Sequence, residues 1–487
     1  MTKLKYFGTD GIRGVAGQHP ISADFVRKLG WAAGSSLCQG SGSNQTVVIG
    51  RDTRLSGLEL QTALTEGLLA TGVDVLDLGV IPTPGIAFLT QKLGASAGAV
   101  ISASHNPASE NGIKFLNQSG MKLSKEQEVA IEGFIESPDP ESYAPLGSAR
   151  PAQDQVKLYV QDLIASQPGL DLKGCTLLVD CANGASYQIA PQVLREFGAN
   201  VIDLNTSPDG LNINDHAGSE FVRGEPQLFA EKIRQYGADA GIAFDGDADR
   251  VILFDETGIM VDGDGMLAIL ADYLHLKGLL SGDALVTTTM ANGALHQFAE
   301  SRGFSMTETP VGDKYVIDAL ALLEDQPGNE GKIGVGGEQS GHIILLDKTH
   351  RTGDGIRTAL MILNILRAEE GQKLSDLNGK IQKYPQLIAS CTVGSKPDLK
   401  TLPELQEALD QLKTDLPGLV RYNARYSGTE PKFRLMLETD TRHSVAEVAA
   451  VAWRISDLIQ SLTQTPKGAK IEVLNVSEGG LMPRGAN

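Results

Sequence analysis

Short apolar runs alternate with amphipathic stretches along most of the chain. The first unit combines an apolar run at 47–49 with a helical pattern at Leu58–Ala70 and a strand pattern at Val73–Leu78. A second helical pattern at 84–93 leads into the small and apolar residues Ala97–Ile101, which predict a buried strand. Strands that alternate with helices are typical of βαβ units with a parallel sheet. The pattern therefore predicts the α/β fold class.

The same plan recurs further along the chain. The pentapeptide GASAG at 94–98 is echoed by GADAG at 237–241, and each enters an apolar strand that ends in a polar loop. The tetrapeptide ANGA follows a strand at 182–185 and again at 291–294, and a third strand of this kind ends at 333–342. These repeats predict three related α/β domains with mixed, largely parallel sheets. Each domain would offer one loop from an equivalent strand end.

The pattern changes from about Leu374 onwards. Helical patterns at Leu402–Leu412 and Val445–Leu462 alternate with strand candidates, which indicates a smaller α+β domain. A Gly-rich tail follows from Thr463, with one short strand candidate at Ile471–Val476. We therefore predict four domains, with the bounds 1–155, 156–257, 258–372 and 373–487.

Composition narrows the class of protein without naming an activity. The 487 residues are too many for one core, and 41% hydrophobic with 21% charged residues is ordinary for a soluble globular protein. The net charge of −18 argues against nucleic acid or an anionic membrane as a main partner, so an anionic substrate would need a local basic cluster. The opening MTKLKYFGTD lacks an apolar segment of signal-peptide length, and no stretch approaches a membrane span. Four scattered cysteines without a CxxC pattern predict reduced thiols in a cytoplasmic protein.

The strongest candidate for chemistry follows the strand at 97–101. The strand runs directly into SASHNP, where Pro107 lacks an amide donor and disfavours a helical conformation in the residue before it. Open α/β sheets bind their ligands at the carboxyl ends of strands. Ser104 is accordingly predicted to be a nucleophile or phosphoryl carrier, with His105 and Lys114 close by in sequence. The alternative is a turn in which the serines only satisfy backbone groups.

The second loop carries three alternating carboxylates, Asp245, Asp247 and Asp249. When the two pentapeptides are aligned, Ser104 falls opposite Asp247. Because converging carboxylates repel one another, a divalent cation is the natural occupant, and Mg²⁺ suits a site that leaves positions for water or phosphate. An EF-hand is excluded because Arg250 stands where that loop needs Gly, and the flanks resemble strands. A solvated acidic hairpin is the remaining alternative.

The third loop, GGEQSGH, contains Glu338, Ser340 and His342, which would face one way if the segment were extended. Glu and Ser suit the hydroxyl groups of a sugar, and His342 offers proton transfer. A structural histidine ahead of an apolar strand is the alternative.

Two basic segments complete the candidates. RYSGTEPKFR at 425–434 combines two arginines, two hydroxyl groups and a Gly, which predicts a phosphate cradle; a hairpin with exposed arginines is the alternative. FGTDGIRG at 7–14 forms a tight loop in which Arg13 offers a forked donor to phosphate, unless it is a surface turn.

The motifs FGTDGIRG, ISASHNP with NGIKF, DGDADR, GGEQSGH and RYSGTEPKFR, in this order over about Lys5–Leu462, resemble those of the α-D-phosphohexomutases. Gln339 and the pair Ile101-Ser102 resemble the glucosamine branch, whereas relatives that act on glucose or mannose tend to carry Met and Thr there. The chain departs from the family pattern at Ala248, where DGDGDR is usual, and at Lys314, where VGDRYV is common.

The resemblance implies four domains around a central cleft, with Ser104 as a phosphoserine. One Mg²⁺ per chain would be held by the Ser104 phosphate together with Asp245, Asp247 and Asp249. Lys114, His342 and Arg250 would lie at the reacting centre, with Lys114 or His342 as general acid and base. Substrate would be bound by Arg13, His105, Glu338, Ser340, Arg425, Ser427, Gly428, Thr429 and Arg434.

The implied activity is a reversible isomerisation of glucosamine 6-phosphate to glucosamine 1-phosphate through a 1,6-bisphosphate, feeding UDP-N-acetylglucosamine and cell-wall precursor synthesis. It requires a kinase or a bisphosphate donor to phosphorylate Ser104 first. The partners expected are therefore a hexosamine phosphate and that activating donor, and an oligomer stays open. The alternatives are a phosphoglucomutase or phosphomannomutase of the same family, a metal-dependent phosphatase, and a non-catalytic sugar-phosphate sensor.

Overall fold

The computed structural model describes residues 4–8, 10–38, 45–368, 371–427, 430–440 and 442–484. Within these ranges the strands form four sheets, of six, five, four and four strands. The first three sheets are mixed and largely parallel, and the fourth is antiparallel. The α/β fold class predicted from the sequence is confirmed.

The first sheet has its strands in the order β1-β5-β4-β2-β3-β6. The elements of this part of the chain are β1 Ile12–Val15, α1 Ala23–Leu37, β2 Thr46–Arg51, α2 Gly57–Leu69, β3 Asp74–Val80, α3 Thr83–Lys92, β4 Ala97–Ile101, β5 Glu110–Asn117, α4 Lys125–Glu136, β6 Ala149–Pro151 and a 3₁₀ turn at Gln153–Gln155. All five residues of β4 are buried, which explains why the strand is a continuous apolar run in the sequence.

The second sheet has the order β11-β10-β9-β7-β8. Its elements are α5 Val156–Ala165, β7 Thr176–Asp180, α6 Ile189–Glu196, β8 Asn200–Leu204, α7 Gly218–Gly224, α8 Pro226–Tyr236, β9 Ala240–Phe244, β10 Val251–Asp255 and β11 Met260–Val261. Helix α8 ends at Gly237, whose φ of +58° favours glycine and turns the chain into β9.

The third sheet has the order β13-β12-β14-β15, and the fourth has the order β17-β18-β16-β19. The third part contains α9 Gly263–Leu276, β12 Leu280–Thr288, α10 Ala294–Arg302, β13 Ser305–Thr309, α11 Asp313–Glu324, β14 Ile333–Gly337, β15 Ile343–Leu346 and α12 Gly355–Arg367. The fourth contains α13 Leu374–Asn378, β16 Gln386–Thr392, a 3₁₀ turn at Leu399–Thr401, α14 Pro403–Asp410, α15 Leu412–Asp415, β17 Leu419–Tyr426, β18 Lys432–Thr439, α16 Val445–Leu462 and β19 Ile471–Asn475.

One arrangement is shared by the first three sheets. A parallel strand next to the central one is followed by an antiparallel return strand: β4 by β5, β9 by β10, and β14 by β15. The connections between them are residues 102–109, 245–250 and 338–342. These are the serine loop, the acidic loop and the sugar loop, and they occupy equivalent places, as the sequence repeat predicted.

The buried hydrophobic residues form several clusters. The largest extends from Val48 to Ile381: it joins the first three domains and includes Leu374 and Leu377 of α13, at the start of the fourth. A second cluster, from Phe7 to Ile135, lies within the first domain. A further cluster, from Leu387 to Val473, fills the sheet and helices of the fourth domain. The first three domains therefore share one cluster, whereas most of the fourth packs around its own.

Most predicted elements agree with the observed ones. Strand β4 and helix α16 have the predicted bounds, and α16 begins with a capping box formed by Ser444 and Glu447. The helix predicted at Leu402–Leu412 is confirmed by α14 at Pro403–Asp410, and a second short helix, α15, follows it from Leu412. The tail strand is β19, which pairs with β16. None of the described helices has the length and apolar character that crossing a bilayer requires.

Candidate active site

Ser104 lies in the serine loop, directly beyond the carboxyl end of β4. It is almost fully buried, and its backbone adopts a left-handed conformation with φ of +52°. A non-glycine residue pays about 1–2 kcal/mol for this conformation, so surrounding contacts must hold it. The Ser104 Oγ donates a hydrogen bond of 2.6 Å to Asp245 Oδ2. The candidate phosphoryl carrier and the acidic loop therefore share one buried site.

The three aspartates of the acidic loop converge. Each offers a carboxylate oxygen, these oxygens lie within 4.8 Å of one another, and all three side chains are buried; among the described residues this is the one such group. Ala248 allows the loop to curl with a left-handed φ of +56°. Burial, followed by the neighbouring charges of Asp249 and Asp247, raises the pKa of Asp245 well above its ordinary value.

These carboxylates suit a divalent cation. One oxygen of Asp247 and one of Asp249 are buried without a hydrogen bond to any described residue. Buried carboxylate oxygens of this kind are hard ligands of the type that Mg²⁺ prefers, and a cation would remove the mutual repulsion. The residues present therefore fit a divalent metal site.

Lys114, on β5, neutralises part of this charge. Its Nζ lies 3.1 Å from an oxygen of Asp247, 3.1 Å from one of Asp10 and 3.8 Å from one of Asp249. Burial alone would lower the pKa of Lys114, but these carboxylates outweigh it and raise the pKa above its ordinary value. Lys114 is therefore a protonated cation beside the acidic loop. Thr83 Oγ1 also donates to Asp247 Oδ2, at 2.7 Å.

A second group of charges lies on the other side of Ser104. Arg250 Nη1 is 3.2 Å from Glu220 Oε1, and the Arg250 amide donates to Asp245. Burial would raise the pKa of Glu220, but the cations of Arg223 and Arg250 outweigh it and lower the pKa to about 2. His105 Nδ1 is 3.2 Å from Ser104 Oγ.

Burial, followed by repulsion from Arg250, lowers the pKa of His105 to about 4. The ring is therefore neutral at neutral pH, with one nitrogen beside the hydroxyl group of Ser104.

His342 lies between two carboxylates. Its Nδ1 is 3.6 Å from Asp249 Oδ1, and its Nε2 is 3.5 Å from Asp313 Oδ2. Burial would lower the pKa of His342, but Asp249 and Asp313 outweigh it and raise the pKa above its ordinary value. The sugar loop is not extended as the spacing argument assumed, because the amide of Gly341 bonds back to the carbonyl of Glu338. His342 therefore reaches the acidic loop through this turn and not through an alternating strand.

The side chain of Gln339 packs between the third and fourth domains. Its Nε2 donates to Asp264 Oδ2 at 3.0 Å and to Gln386 Oε1 at 2.7 Å. Gln386 in turn donates to Glu438 on β18, at 2.9 Å. Burial and the neighbouring Asp262 raise the pKa of Asp264 to about 7. A buried polar network therefore joins the sugar loop to the fourth domain.

The candidate phosphate cradle is built by the ends of β17 and β18. The Nε atoms of Arg425 and Arg434 are buried without a hydrogen bond to any described residue. Arg434 Nη2 donates to Glu430 Oε2 at 3.0 Å, and Ser427 is buried beside them. Burial and the charge of Arg434 lower the pKa of Arg425. Two further residues predicted for the cradle, Gly428 and Thr429, lie outside the described residues.

Glu338 lies between the candidate cradle and the acidic loop. Its carboxylate adds to the charge of Glu220, which raises the pKa of Arg250, and partly offsets the burial and the Arg434 charge that lower the pKa of Arg425; it also accepts the amide of Gly312 at 3.1 Å. Ser340 is half-buried in the same turn. Arg13 pairs with Asp10 and points its Nη1 towards the side chain of Asn106, at 3.4 Å. The sugar loop therefore lies between the two sets of cations.

Several residues of the site escaped the sequence analysis. They are Asp10, Asp52, Arg54, Thr83, Lys122, Asn214, Glu220 and Asp313. Asp10 lies inside FGTDGIRG and Asp313 inside VGDKY, so the motifs that contain them could have identified both residues as members of the site. The others stand in segments that carried no chemical pattern, and only the packing of domains shows their positions.

Known protein families match this chain from residue 4 to residue 452. Four models match, described as phosphoglucomutase/phosphomannomutase alpha/beta/alpha domains I, II and III and the C-terminal domain, over residues 4–142, 157–258, 262–384 and 367–452 respectively. The phosphoglucosamine mutase of Symbiobacterium thermophilum is 44% identical over 92% of this chain and 98% of its own length. That of Desulforamulus reducens is 42% identical over 94% of this chain and 100% of its own.

Solved structures show the same fold at lower identity. A phosphoglucomutase/phosphomannomutase family protein from Burkholderia thailandensis has a TM-score of 0.74 at 24% identity, covering 96% of this chain and 100% of its own. The N-acetylphosphoglucosamine mutase of Aspergillus fumigatus, solved with GlcNAc-6P and magnesium, has a TM-score of 0.62 at 18% identity, covering 95% and 96%.

Proposed function

The chain belongs to the phosphoglucomutase/phosphomannomutase family, and we propose that it is an isomerase that interconverts glucosamine 6-phosphate and glucosamine 1-phosphate. The 2.6 Å contact between Ser104 Oγ and Asp245 carries the proposal, because a hydroxyl group beside three converging carboxylates is the arrangement that a phosphoryl carrier next to a metal ion would need. The relatives at 42–44% identity, all named phosphoglucosamine mutase, support the choice of sugar. The four domain bounds predicted from the sequence are part of this proposal.

Ser104 carries the phosphoryl group in the proposed cycle. It donates the group to glucosamine 6-phosphate, and the resulting 1,6-bisphosphate turns round and returns its other phosphate to Ser104. The hydrogen bond to Asp245 belongs to the unphosphorylated serine, since a phosphorylated Oγ has no proton to donate. A kinase or a sugar bisphosphate supplies the first phosphoryl group. We place the product in cytoplasmic synthesis of UDP-N-acetylglucosamine and cell-wall precursors.

Asp245, Asp247, Asp249 and the phosphate on Ser104 would hold one Mg²⁺ per chain. A bound cation supplies charge neutralisation for the transferring phosphoryl group, which is the main source of catalysis in phosphoryl transfer. The protonated Lys114 adds a fixed positive charge beside the same oxygens.

The general acid is assigned to His342 in this scheme, since the carboxylates of Asp249 and Asp313 favour its protonated form. Lys114, surrounded by carboxylates, serves as the permanent cation.

Substrate binding follows from the position of the sugar loop. Glu338 and Ser340 bind hydroxyl groups of the sugar, and Arg13, Arg250 and His105 lie at the transferring phosphate. The phosphate that is not reacting is held by Arg425, Ser427, Gly428, Thr429 and Arg434. Because the cradle recognises a phosphate and not a particular carbon, it can hold either end of the bisphosphate.

Replacement of the carrier serine tests the function. Intact-mass measurement of the wild type detects phosphate, which peptide mapping places on Ser104, and turnover is compared on glucosamine 6-phosphate, glucose 1-phosphate and mannose 1-phosphate. Ser104→Ala is expected to lose at least about 1,000-fold in kcat, because no other group can carry the phosphoryl unit. Ser109→Ala, an exposed serine of the same loop, is the matched control and keeps wild-type turnover.

Three results would contradict the proposal. Full turnover by Ser104→Ala excludes the phosphoserine route. Release of free phosphate without an isomerised sugar identifies a phosphatase. Faster turnover on glucose or mannose phosphate assigns the chain to the other sugars of its family.

A further inference from the structure

Two backbone carbonyl groups of the serine loop are each held by two side chains. The carbonyl oxygen of Ser104 accepts from Arg54 Nη2 at 2.9 Å and from Asn214 Nδ2 at 2.8 Å. The carbonyl oxygen of Asn106 accepts from the same two atoms, at 2.8 Å and 3.0 Å. The residue that carries the phosphoryl group and a residue two positions later are thus fixed by one guanidinium and one amide.

Arg54 is devoted entirely to this loop. Its side chain is fully buried, and its Nη1 donates to the carbonyl oxygens of Pro107 and Glu110. Its Nε donates to Asp52 Oδ2 at 2.9 Å. All five N–H donors of the guanidinium are therefore used, four of them on backbone carbonyls in or beside the loop.

The partner of Arg54 also reaches the serine. Asp52 Oδ2 accepts from Ser102 Oγ at 2.6 Å, and Ser102 Oγ accepts the amide of Ser104 at 2.9 Å. Both the amide and the carbonyl of Ser104 are thus connected to the Arg54–Asp52 pair. The left-handed conformation of Ser104 is fixed from its two ends.

Asn214 brings the second domain to the same point. It lies between β8 and α7, its backbone is left-handed with φ of +60°, and its amide bonds to the carbonyl of Ala182. The acidic loop passes so close that a Cβ built on Gly246 would lie 2.5 Å from the Ser104 carbonyl oxygen and 3.0 Å from Asn214 Nδ2. Asn214 therefore joins the serine loop to the domain that carries the three aspartates.

We propose that Arg54 and Asn214 are positioning residues that hold the serine loop in its left-handed turn and aim Ser104 Oγ at the metal-binding carboxylates. The inference rests on the proposed mutase function and deepens it. Neither side chain contacts the acidic triad, so their loss slows phosphoryl transfer without weakening metal binding. Misplacement of a reacting group by about 1 Å is enough to reduce a rate by about 100-fold.

Asn214→Gly is the first test, because glycine keeps the left-handed backbone and removes only the amide. Asn205→Gly is a matched control: Asn205 is also left-handed, with φ of +51°, but its side chain bonds to Asp180 and not to the serine loop. The protein is phosphorylated on Ser104 and mixed with glucosamine 6-phosphate, and loss of the phosphate is followed by rapid quench and intact mass. Mg²⁺ affinity is measured by calorimetry on the unphosphorylated protein.

We expect Asn214→Gly to lower the single-turnover rate by about 10- to 100-fold, with Mg²⁺ affinity and substrate KM within a factor of about 2 of the wild type. Asn205→Gly is expected to keep the wild-type rate. An Asn214→Gly protein with a lower Tm but an unchanged transfer rate would overturn the inference, and so would a loss of Mg²⁺ binding that accounts for the slower rate.

Arg54→Ala with added guanidinium ion is the second test. The ion can re-enter the buried site and donate to the same carbonyl groups, so millimolar guanidinium should restore at least about 10-fold of the lost transfer rate, whereas urea should not. Absence of rescue in a folded variant would remove Arg54 from the proposal. Where Arg54→Ala does not fold, Asn214→Gly decides.

The wild-type protein in the same assay tests the proposed mutase function separately from the positioning role of Arg54 and Asn214. Transfer of phosphate from wild-type Ser104 to the sugar upholds the mutase function, whatever the variants do. Absence of that transfer rejects the function itself.

Discussion

The proposed function assigns a phosphate to both the serine loop and the phosphate cradle, but the chain holds these two segments in different ways. In the serine loop the backbone carbonyls of Ser104 and Asn106 each accept two hydrogen bonds, and the Arg54 donors are all used. In the cradle, Arg425 and Arg434 keep an Nε atom without a hydrogen bond to the described residues. Arg54, which holds the serine loop, therefore has no N–H donor left for a ligand, whereas each of the two cradle arginines has one.

The cores of the two regions differ in the same sense. Val100 of β4, together with Phe244 and Val251 beside the acidic loop, belongs to the cluster that the first three domains share, whereas the strands of the cradle pack in the separate cluster of the fourth domain. In the proposed cycle the bisphosphate presents its two ends to Ser104 in turn. This requires a rigid site around Ser104 and a phosphate-binding domain that can change its position. The separate core of the fourth domain is consistent with that requirement.

Among these variants, Lys114→Met is expected to have the largest effect on stability. It tests whether the acidic loop is held rigidly. Removing this cation leaves the buried carboxylate of Asp247 without an ion-pair partner among the described residues and takes one of two lysine partners from the half-buried Asp10, which costs about 3–5 kcal/mol in the free energy of unfolding. Urea unfolding followed by circular dichroism measures the loss. Lys28→Met, which breaks a pair with the exposed Asp139, should cost less than about 1 kcal/mol.

If the acidic loop relaxes towards solvent in Lys114→Met, the loss will match that of the Lys28 control. Such a result would show that the reacting centre is not held rigidly, and the contrast with the cradle would disappear.

Arg434→Ala tests the cradle. A charge-assisted hydrogen bond contributes about 1.5–3 kcal/mol, so kcat/KM should fall by about 10- to 100-fold. The free energy of unfolding should change little, because the Arg434 side chain is 36% exposed and pairs only with Glu430 among the described residues. Steady-state kinetics and urea unfolding of the same preparation check both expectations. Arg442→Ala, in the same domain, is the control and leaves kcat/KM unchanged.

A large loss of stability in Arg434→Ala would contradict the view of the cradle as a set of donors kept for the ligand. An unchanged kcat/KM would show that this arginine does not hold the distal phosphate.

Gln339→Met sharpens the comparison at the junction of the two regions. The variant loses the hydrogen bonds to Asp264 and Gln386, which we expect to cost about 1–3 kcal/mol in the free energy of unfolding. The ratio of the kcat/KM values for glucosamine phosphate and glucose phosphate should stay within a factor of about 2 of the wild-type ratio, because the Gln339 side chain is engaged between the third and fourth domains. A shift of that ratio towards glucose would instead make Gln339 a determinant of sugar choice.

The smallest expected effect concerns the shared core of the first three domains. His350 Nε2 is 2.7 Å from Asp162, its ring stacks on Phe88, and its Nδ1 faces Asp347. Burial would lower the pKa of His350, but the two carboxylates outweigh it and raise the pKa. Its contribution to stability is therefore fully present below about pH 6.5 and is lost as the pH rises through the raised pKa.

Thermal unfolding of wild type and His350→Gln across this range measures the effect. The wild type should lose Tm relative to the variant as the pH rises. Parallel curves would show that His350 has the same pKa in the folded and unfolded chain.

Local patterns predicted the elements and the repeated plan. The buried run of β4 and the capped helix α16 were predicted with the observed bounds, and the aligned pentapeptides set Ser104 opposite the acidic loop that it contacts. Periodicity and motifs work here because each signal lies within a few residues of the structure it specifies.

Contacts between domains escaped prediction for the opposite reason. Arg54 and Asn214 meet the serine loop from 50 and 110 residues away, and nothing in their own segments indicates that contact. The direction of the Gln339 side chain depends on the turn of the sugar loop, which the alternating pattern did not predict. The left-handed φ of Ala248 was not predictable either, because this conformation usually occurs at glycine.

The antiparallel return strands limit how substrate specificity can change among proteins with this fold. Each of the acidic and sugar loops is closed by an antiparallel cross-strand pair, Phe244 with Val251 and Gly337 with Ile343, whose Cα atoms lie about 5 Å apart. Residues 245–249 of the acidic loop are buried, so an inserted residue there would have to displace closely packed neighbours. New specificities in this scaffold should therefore arise by exchanging side chains at constant loop length, so relatives with other preferences will align here without gaps.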